Sequence, residues 1–415
     1  MFRKLFIGLL LFPSLATAAG YGSAAPVKEW TVMLFANGKN NLDPAQFSEI
    51  NAMESVGSNK DVNLVVQFGR LGNSYSSDNW SGARRYLLEK DSDPNHITSP
   101  VLWQADKVDM GDYRSVIDFA QWTAAKFPAK RYFFIWTNHG SGWFDPKPGT
   151  MRGATRGFSF DDETKNYVRV SQMNPMMDGV ARALHKRVDI MFNAGCLMQM
   201  VEIAYENRNQ ADVIMGSEET AMTAGAGAYE MPLVLGAMMQ SPTLDTDTVA
   251  RLMVQYYGEY LGSHGQNVTL SAVRGKTLWD LKRALNDWAA LAMDINDVGA
   301  ARSGKYFSLR FEYPVNTDLV DFITRYTNSM TATGPKADQL RQLSNWIINY
   351  VKNRVVVANS AVGEVSGATG IAITIPTKDN SWTTSLPKRF EPYGLMAFAK
   401  DTNWKQFCDY MDAIK

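Results

Sequence analysis

From Trp30 to Asn209 short apolar runs alternate with amphipathic segments, and this alternation restricts the fold more than any other feature of the chain. Trp30 to Phe35 and Val62 to Phe68 are compact and β-rich, and Arg131 to Thr137 (RYFFIWT), Val188 to Phe192 (VDIMF) and Val213 to Gly216 share their texture. Pro44 to Ser55 has helical character with a proline near its first turn, and a second helical stretch opened by Asp112 places Val116, Phe119, Ala120 and Thr123 on one face. Continuous apolar strands separated by helices are buried on both sides. The pattern therefore predicts an α/β fold: parallel βαβ units in a mostly parallel sheet with helices on both faces. A chain of 415 residues, 45% hydrophobic and 12% aromatic, has ample material for such a core.

The texture changes near Ser241. Val249, Leu252, Met253, Tyr256, Tyr257 and Tyr260 form one helical stripe, Leu278, Leu281, Leu285, Trp288 and Ala292 a second, and Leu340, Leu343, Ile347, Tyr350 and Val351 a third. Such stripes are expected to pack into a core rather than bind a cofactor. Gly370 to Pro376 (GIAITIP) reads as one late strand. At the other end, Arg3 and Lys4 precede an apolar run from Leu5 to Leu15, and Ala16-Thr17-Ala18 fits a small-x-small cleavage pattern. The run is too short to span a bilayer and is broken by Gly8 and Pro13. Residues 1–19 are thus expected to be a signal peptide, and the product an exported protein, periplasmic or secreted, with no membrane attachment after cleavage. Its 42 basic and 42 acidic side chains cancel, and loss of Arg3 and Lys4 leaves 40 − 42 = −2. A near-neutral chain argues against a nucleic-acid partner.

Two cysteines and four histidines exclude a disulfide framework and leave little for a zinc site. HExxH, phosphate-loop, dinucleotide-fingerprint and GxSxG patterns are all missing, and the acid pairs Asp161-Asp162 and Glu218-Glu219 are of a kind common on solvated faces. What remains is a histidine and a cysteine, each just beyond a strand-like run. His139 lies in Asn138-His139-Gly140-Ser141-Gly142, and Cys196 ends Asn193-Ala194-Gly195-Cys196 ahead of a stretch, Leu197 to Tyr205, with helical spacing. Neighbouring parallel strands would bring both to one rim of the sheet, where sites of α/β proteins gather. A helix starting directly behind Cys196 would favour its thiolate, and His139 would hold or move the proton. The flanking glycines would leave main-chain N–H groups free to bind an oxyanion. Their separation of 57 residues matches the cysteine-peptidase arrangement with histidine roughly 50 residues upstream.

With those residues in hand, the mature chain resembles the clostripain family of cysteine peptidases, related in fold to caspases, legumains and gingipains. Phe192 to Tyr205 (FNAGCLMQMVEIAY) carries the most specific likeness, and Phe134 to Trp143 (FIWTNHGSGW), with its His-Gly-x-Gly-Trp turn, the next. Trp30 to Asn41 (WTVMLFANGKNN), Val62 to Arg70 (VNLVVQFGR), Gly216 to Glu219 (GSEE), Val268 to Ala272 (VTLSA) and Tyr393 to Trp404 (YGLMAFAKDTNW) extend it. The resemblance implies a caspase-like catalytic α/β domain over residues 20–240 and a helix-rich C-terminal region with a late strand over 241–415, packed on it. It implies His139 as general base and acid, Cys196 as nucleophile, and the Gly140 and Cys196 N–H groups as oxyanion hole. No cofactor is required, and calcium enters by family resemblance alone. Cleavage between the histidine and cysteine segments, as in family members, would fall in the loop with Lys147, Arg152 and Arg156.

The family's aspartate two residues before the cysteine favours Arg or Lys beside the scissile bond. Here that position is Ala194, the nearest polar residue is Asn193, and Gly195 is an extra residue. A neutral side chain cannot give the bidentate recognition a carboxylate offers a guanidinium, so basic preference would have to come from Asp161, Asp162, Glu218 or Glu219. The expected substrate-binding residues are Asn193, Ala194, Glu218 and Glu219, and the expected partner is a protein or peptide substrate. Two rival expectations are a catalytically silent protein that uses the same cleft to bind peptide or cell-wall material, and a Cys196–Cys408 disulfide.

Overall fold

The computed structural model describes residues 26–72, 79–143, 158–221, 230–377 and 393–415. The N-terminal segment read as a signal, and Lys147, Arg152 and Arg156, lie outside the described residues. The first half of the chain supplies β1 (Lys28–Gly38), α1 (Asp43–Glu54), β2 (Val62–Leu71), β3 (Ser81–Leu87), β4 (Val101–Ala105), α2 (Tyr113–Lys126), β5 (Ala129–Thr137), α3 (Val170–Leu184), β6 (Val188–Ala194), α4 (Val201–Glu206) and β7 (Ala211–Gly216). Beyond these come α5 (Met231–Gln240), α6 (Thr246–Ser263), β8 (Val268–Arg274), α7 (Leu278–Ile295), α8 (Val298–Phe307), β9 (Asn316–Asp318), α9 (Leu319–Asn328), α10 (Pro335–Tyr350), β10 (Val356–Val362), β11 (Ala372–Thr374), α11 (Ala397–Asp401) and α12 (Trp404–Ala413).

Among the described residues nine strands form one sheet in the order β10-β8-β7-β6-β5-β1-β2-β3-β4. The central five, β7-β6-β5-β1-β2, pair in parallel, which is the product of the strand–helix alternation. Antiparallel pairs flank them on both sides. Since β4 and β10 are each antiparallel to an antiparallel neighbour, they run with the central five, and seven of the nine strands share one direction. Helices α1, α5 and α6 cover one face through Ile50, Met53, Leu235, Met253 and Tyr257, and α2, α3, α4 and α7 cover the other through Phe119, Met176, Ile203 and Trp288. Both sides of the central strands are thereby covered, as their mostly apolar runs require, and the polar residues within them, such as Asn63, Gln67 and Asp189, are buried as well.

The sheet does not end where the sequence texture changes. β8 and β10, both beyond residue 240, continue it past β7. The run Gly370 to Pro376 has its strand at β11, which pairs with β9 in a separate two-stranded ribbon instead of joining the main sheet. That ribbon is tied to the segment after Cys196: Ala372 donates to the Gln199 carbonyl at 3.0 Å, and Met200 and Ala372 form a bridge.

Candidate active site

β5 and β6 are parallel neighbours, with Trp136 opposite Asn193 and Thr137 opposite Ala194. One residue beyond that register, the Asn138 N–H donates to the Ala194 carbonyl at 3.3 Å. The loops leaving the two strands are therefore side by side at the carboxyl edge, and His139 and Cys196 belong to them. The loops touch backbone to backbone. A Cβ built on Gly140 would stand 2.3 Å from the Cys196 carbonyl oxygen and 2.8 Å from its nitrogen. A Cβ on Gly195 would stand 2.7 Å from the Phe158 ring and 2.9 Å from the Asn138 carbonyl oxygen. Glycine at both places is what lets the histidine and cysteine loops approach.

Several side chains fix this edge. Asn138 is buried; its amide donates to the Asn37 carbonyl at 2.7 Å and accepts from the Phe160 N–H at 3.0 Å, joining the ends of β1 and β5 to the segment that resumes at Phe158. Trp143, also buried, donates to Thr374 Oγ1 at 2.6 Å and packs edge-on against Tyr393. The His-Gly-x-Gly-Trp turn is thus anchored in the C-terminal half. His139 itself is half-buried, and its Nε2 lies 2.8 Å from Oδ1 of Asn41, in the loop between β1 and α1. Sequence reading did not single out Asn41. The only signal was the polar Gly-Lys-Asn-Asn at the end of an apolar run, which is ordinary for a loop.

Cys196 is half-buried and its thiol is free. Its sulfur accepts from the Ala221 N–H at 3.3 Å. Burial pushes the thiol up; the N–H groups of Ala221, Gly140 and Cys196 itself favour the thiolate, while the Glu219 charge opposes it. Among the described residues the Gly140 and Cys196 N–H groups donate to no carbonyl. Two such donors converging beside a sulfur can bind an oxyanion.

The expected helix directly behind Cys196 is not there. Leu197 has φ +62°, its N–H pairs with the Glu219 carbonyl at 3.0 Å, and Gln199 pairs with Ser217 at 2.9 Å. The chain runs alongside the segment after β7, and α4 starts only at Val201 and has six residues. The helical spacing seen in the sequence came from Val201, Ala204 and Tyr205, and Leu197 and Met200 matched it without being helical. Stabilisation of the thiolate therefore comes from single N–H groups and not from a helix dipole.

The expected substrate-binding residues part company. Asn193 and Ala194 are buried within β6, Ala194 in the apolar core. Glu218 is fully buried and turned away, accepting from the Gly370 N–H at 3.1 Å. Burial holds its carboxyl well above the usual range, with the nearby Asp318 charge adding to the effect. Glu219 stays with the cysteine: its carbonyl holds Leu197, and its carboxylate accepts from Thr220 N–H at 2.6 Å and Glu312 N–H at 3.1 Å. Asp161 is buried, accepting from the Met110, Glu163 and Thr164 N–H groups, and Asp162 pairs with Lys165 at 3.8 Å. Cys408 is buried and free, its thiol 3.4 Å from the Thr374 carbonyl oxygen, so the Cys196–Cys408 disulfide does not form. Among the described residues no three His, Cys, Asp or Glu side chains converge as metal ligands, and no calcium site is assigned.

The model of the clostripain family matches residues 34–411. Clostripain of Hathewaya histolytica is 21% identical over 422 residues, covering 88% of this chain and 78% of its own length. The fold is similar to that of "iotapain", a secreted C11 cysteine protease from Bacteroides thetaiotaomicron, with a TM-score of 0.62 at 14% identity over 91% of this chain and 100% of that one. A secreted C11 cysteine protease from the same organism in complex with an irreversible peptide inhibitor gives a TM-score of 0.59 at 18% identity, and an inactive zymogen C11 protease from Parabacteroides distasonis 0.59 at 17%. Both cover 91% of this chain and 99% of their own.

Proposed function

The chain belongs to the clostripain family and is a cysteine protease, and from that premise we propose that it is an exported endopeptidase working through a Cys196–His139 dyad. The observation that carries this reading is the backbone contact of the Gly140 and Cys196 loops at the carboxyl ends of two adjacent parallel strands. His139 takes the thiol proton, and the thiolate attacks a peptide carbonyl carbon. The Gly140 and Cys196 N–H groups hold the resulting oxyanion. His139 then gives its proton to the leaving amine as the C–N bond breaks, leaving a thioester on Cys196. Water attacks the thioester with His139 as base, the carboxylic acid departs, and the thiol is restored.

Preference for the residue before the scissile bond is not strictly basic. Asn193 and Ala194 bring no carboxylate to this position, and both are buried in β6. Glu219 is the acid that acts on the Cys196 sulfur, and its oxygens are already engaged by two N–H groups. Export is supported by the signal-like N-terminus. The segment with Lys147, Arg152 and Arg156 is the proposed maturation site, by resemblance to the family.

A panel of fluorogenic peptides varied at the residue before the scissile bond tests the reading. Wild-type protein is expected to cleave several members, with Cys196→Ala inactive and His139→Ala reduced by at least about a hundred-fold. Cleavage by Cys196→Ala at the wild-type rate would remove the cysteine from the mechanism.

A further inference from the structure

Strand order places His139 between two partners. β5 carries the histidine loop, β6 on one side carries Cys196, and β1 on the other side leads into the loop holding Asn41. The His139 Nε2–Asn41 Oδ1 contact of 2.8 Å therefore approaches the imidazole from the flank away from the cysteine strand. We propose that Asn41 is a positioning residue that fixes the orientation and tautomer of His139; this rests on the dyad assigned above.

Asn41 is exposed, so its side chain contributes little to packing, yet its backbone is firmly placed. The preceding Asn40 is buried; its amide donates to the Phe160 carbonyl at 2.8 Å and accepts from the Leu42 N–H at 2.9 Å. Two residues further on, Asp43 forms a buried bidentate pair with Arg70, at 2.7 and 3.1 Å. An exposed amide on so constrained a loop, hydrogen-bonded to a catalytic imidazole, is poorly explained by a need for stability.

The chemistry assigns the proton. An amide oxygen only accepts, so Nε2 carries hydrogen in both the imidazole and imidazolium forms. The proton exchanged with sulfur and leaving amine then travels through Nδ1. A neutral amide keeps the ring from rotating without adding the charge that a carboxylate would, so it orients the base. The same logic makes the outer partner of metal-bound and catalytic histidines a determinant of tautomer.

The test compares wild type with Asn41→Ala and Asn41→Asp, using the most active fluorogenic peptide and thermal unfolding. In Asn41→Ala, kcat is expected to fall about ten- to a hundred-fold, the cost of a loosened catalytic group, with KM within about two-fold and Tm unchanged. In Asn41→Asp the carboxylate favours imidazolium, so the limb of the pH–kcat/KM profile that reports His139 is expected to move to higher pH. Wild-type kcat in the alanine variant, or a loss confined to KM with an unmoved profile in the aspartate variant, overturns the inference while leaving the dyad in place. A wild-type protein that cleaves no peptide and takes no thiol label at Cys196 overturns the dyad, and this inference with it.

Discussion

The surroundings of Cys196, taken together, hold its thiol above the ordinary range. Burial and the neighbouring Glu219 both disfavour the thiolate, and among the described residues individual N–H groups, from Ala221, Gly140 and its own backbone, favour it. A thiol held up in this way reacts slowly with a simple alkylating agent near neutral pH, and its reactivity rises as pH increases through and above the ordinary thiol range. Replacing Glu219 by Gln removes the opposing charge but keeps an oxygen for the Thr220 or Glu312 N–H. The midpoint of the iodoacetamide reactivity profile is therefore expected to move to lower pH in Glu219→Gln; a midpoint that stays or rises would show that Glu219 does not act on the sulfur. Cys408, buried against Thr374 with its own thiol pushed well up by burial, is expected to stay unlabelled in the folded protein.

The unit that makes the site is a pair of strand ends. β5 and β6 hold the histidine and cysteine loops in register, and glycines at 140 and 195 let those loops close on each other. Gly140→Ala would drive a methyl group into the Cys196 backbone. It is expected to abolish peptide cleavage and to cost roughly 1–3 kcal/mol of stability as the loops separate; near-normal activity would show that the contact is not required. Much of this was legible beforehand. The runs before His139 and Cys196 became adjacent parallel strands because their apolar stretches, Phe133 to Trp136 and Ile190 to Phe192, are buried side by side, with the polar Asp189 next to them accepting from the Tyr132 N–H, and the glycines marked close approach. What the sequence could not show has physical causes. β3 escaped notice because Arg84 and Arg85 break its apolar pattern. Arg85 is nonetheless buried, over the Trp103 ring at 4.1 Å and paired with Gln67 and Asp118. The helix expected behind Cys196 failed because spacing alone does not distinguish a turn at φ +62° and an extended segment from the first turn of a helix. Asn41 was invisible because its partner is 98 residues away.

At the scale of the whole molecule, the region after residue 240 is built into the same sheet as the half that holds His139 and Cys196. It contributes β8 and β10 to the sheet, and through Thr374, Ala372 and Gly370 it contacts Trp143, Gln199 and Glu218. One of these joints carries a pH signature. Asp318, buried and capping α9, is pushed up to about 6 by burial, and Glu218 beside it is raised as well. Acids raised on folding bind more protons in the native state than in the unfolded chain. Their stabilising contribution is present at pH below the unfolded value near 4 and is lost as pH climbs through about 6. Tm is therefore expected to decline as pH rises from about 4 through about 6, and Glu218→Gln to lessen that decline, measured by calorimetry; an equal decline in both proteins would contradict the assignment. The account as a whole stands on Cys196 being the atom that bonds to substrate. The direct measurement is tandem mass spectrometry of the mature protein after treatment with an irreversible peptide electrophile, in parallel with His139→Ala. The account predicts one adduct, on Cys196, formed far more slowly in the histidine variant. An adduct on Cys408, or labelling of Cys196 at the same rate with and without His139, would contradict it.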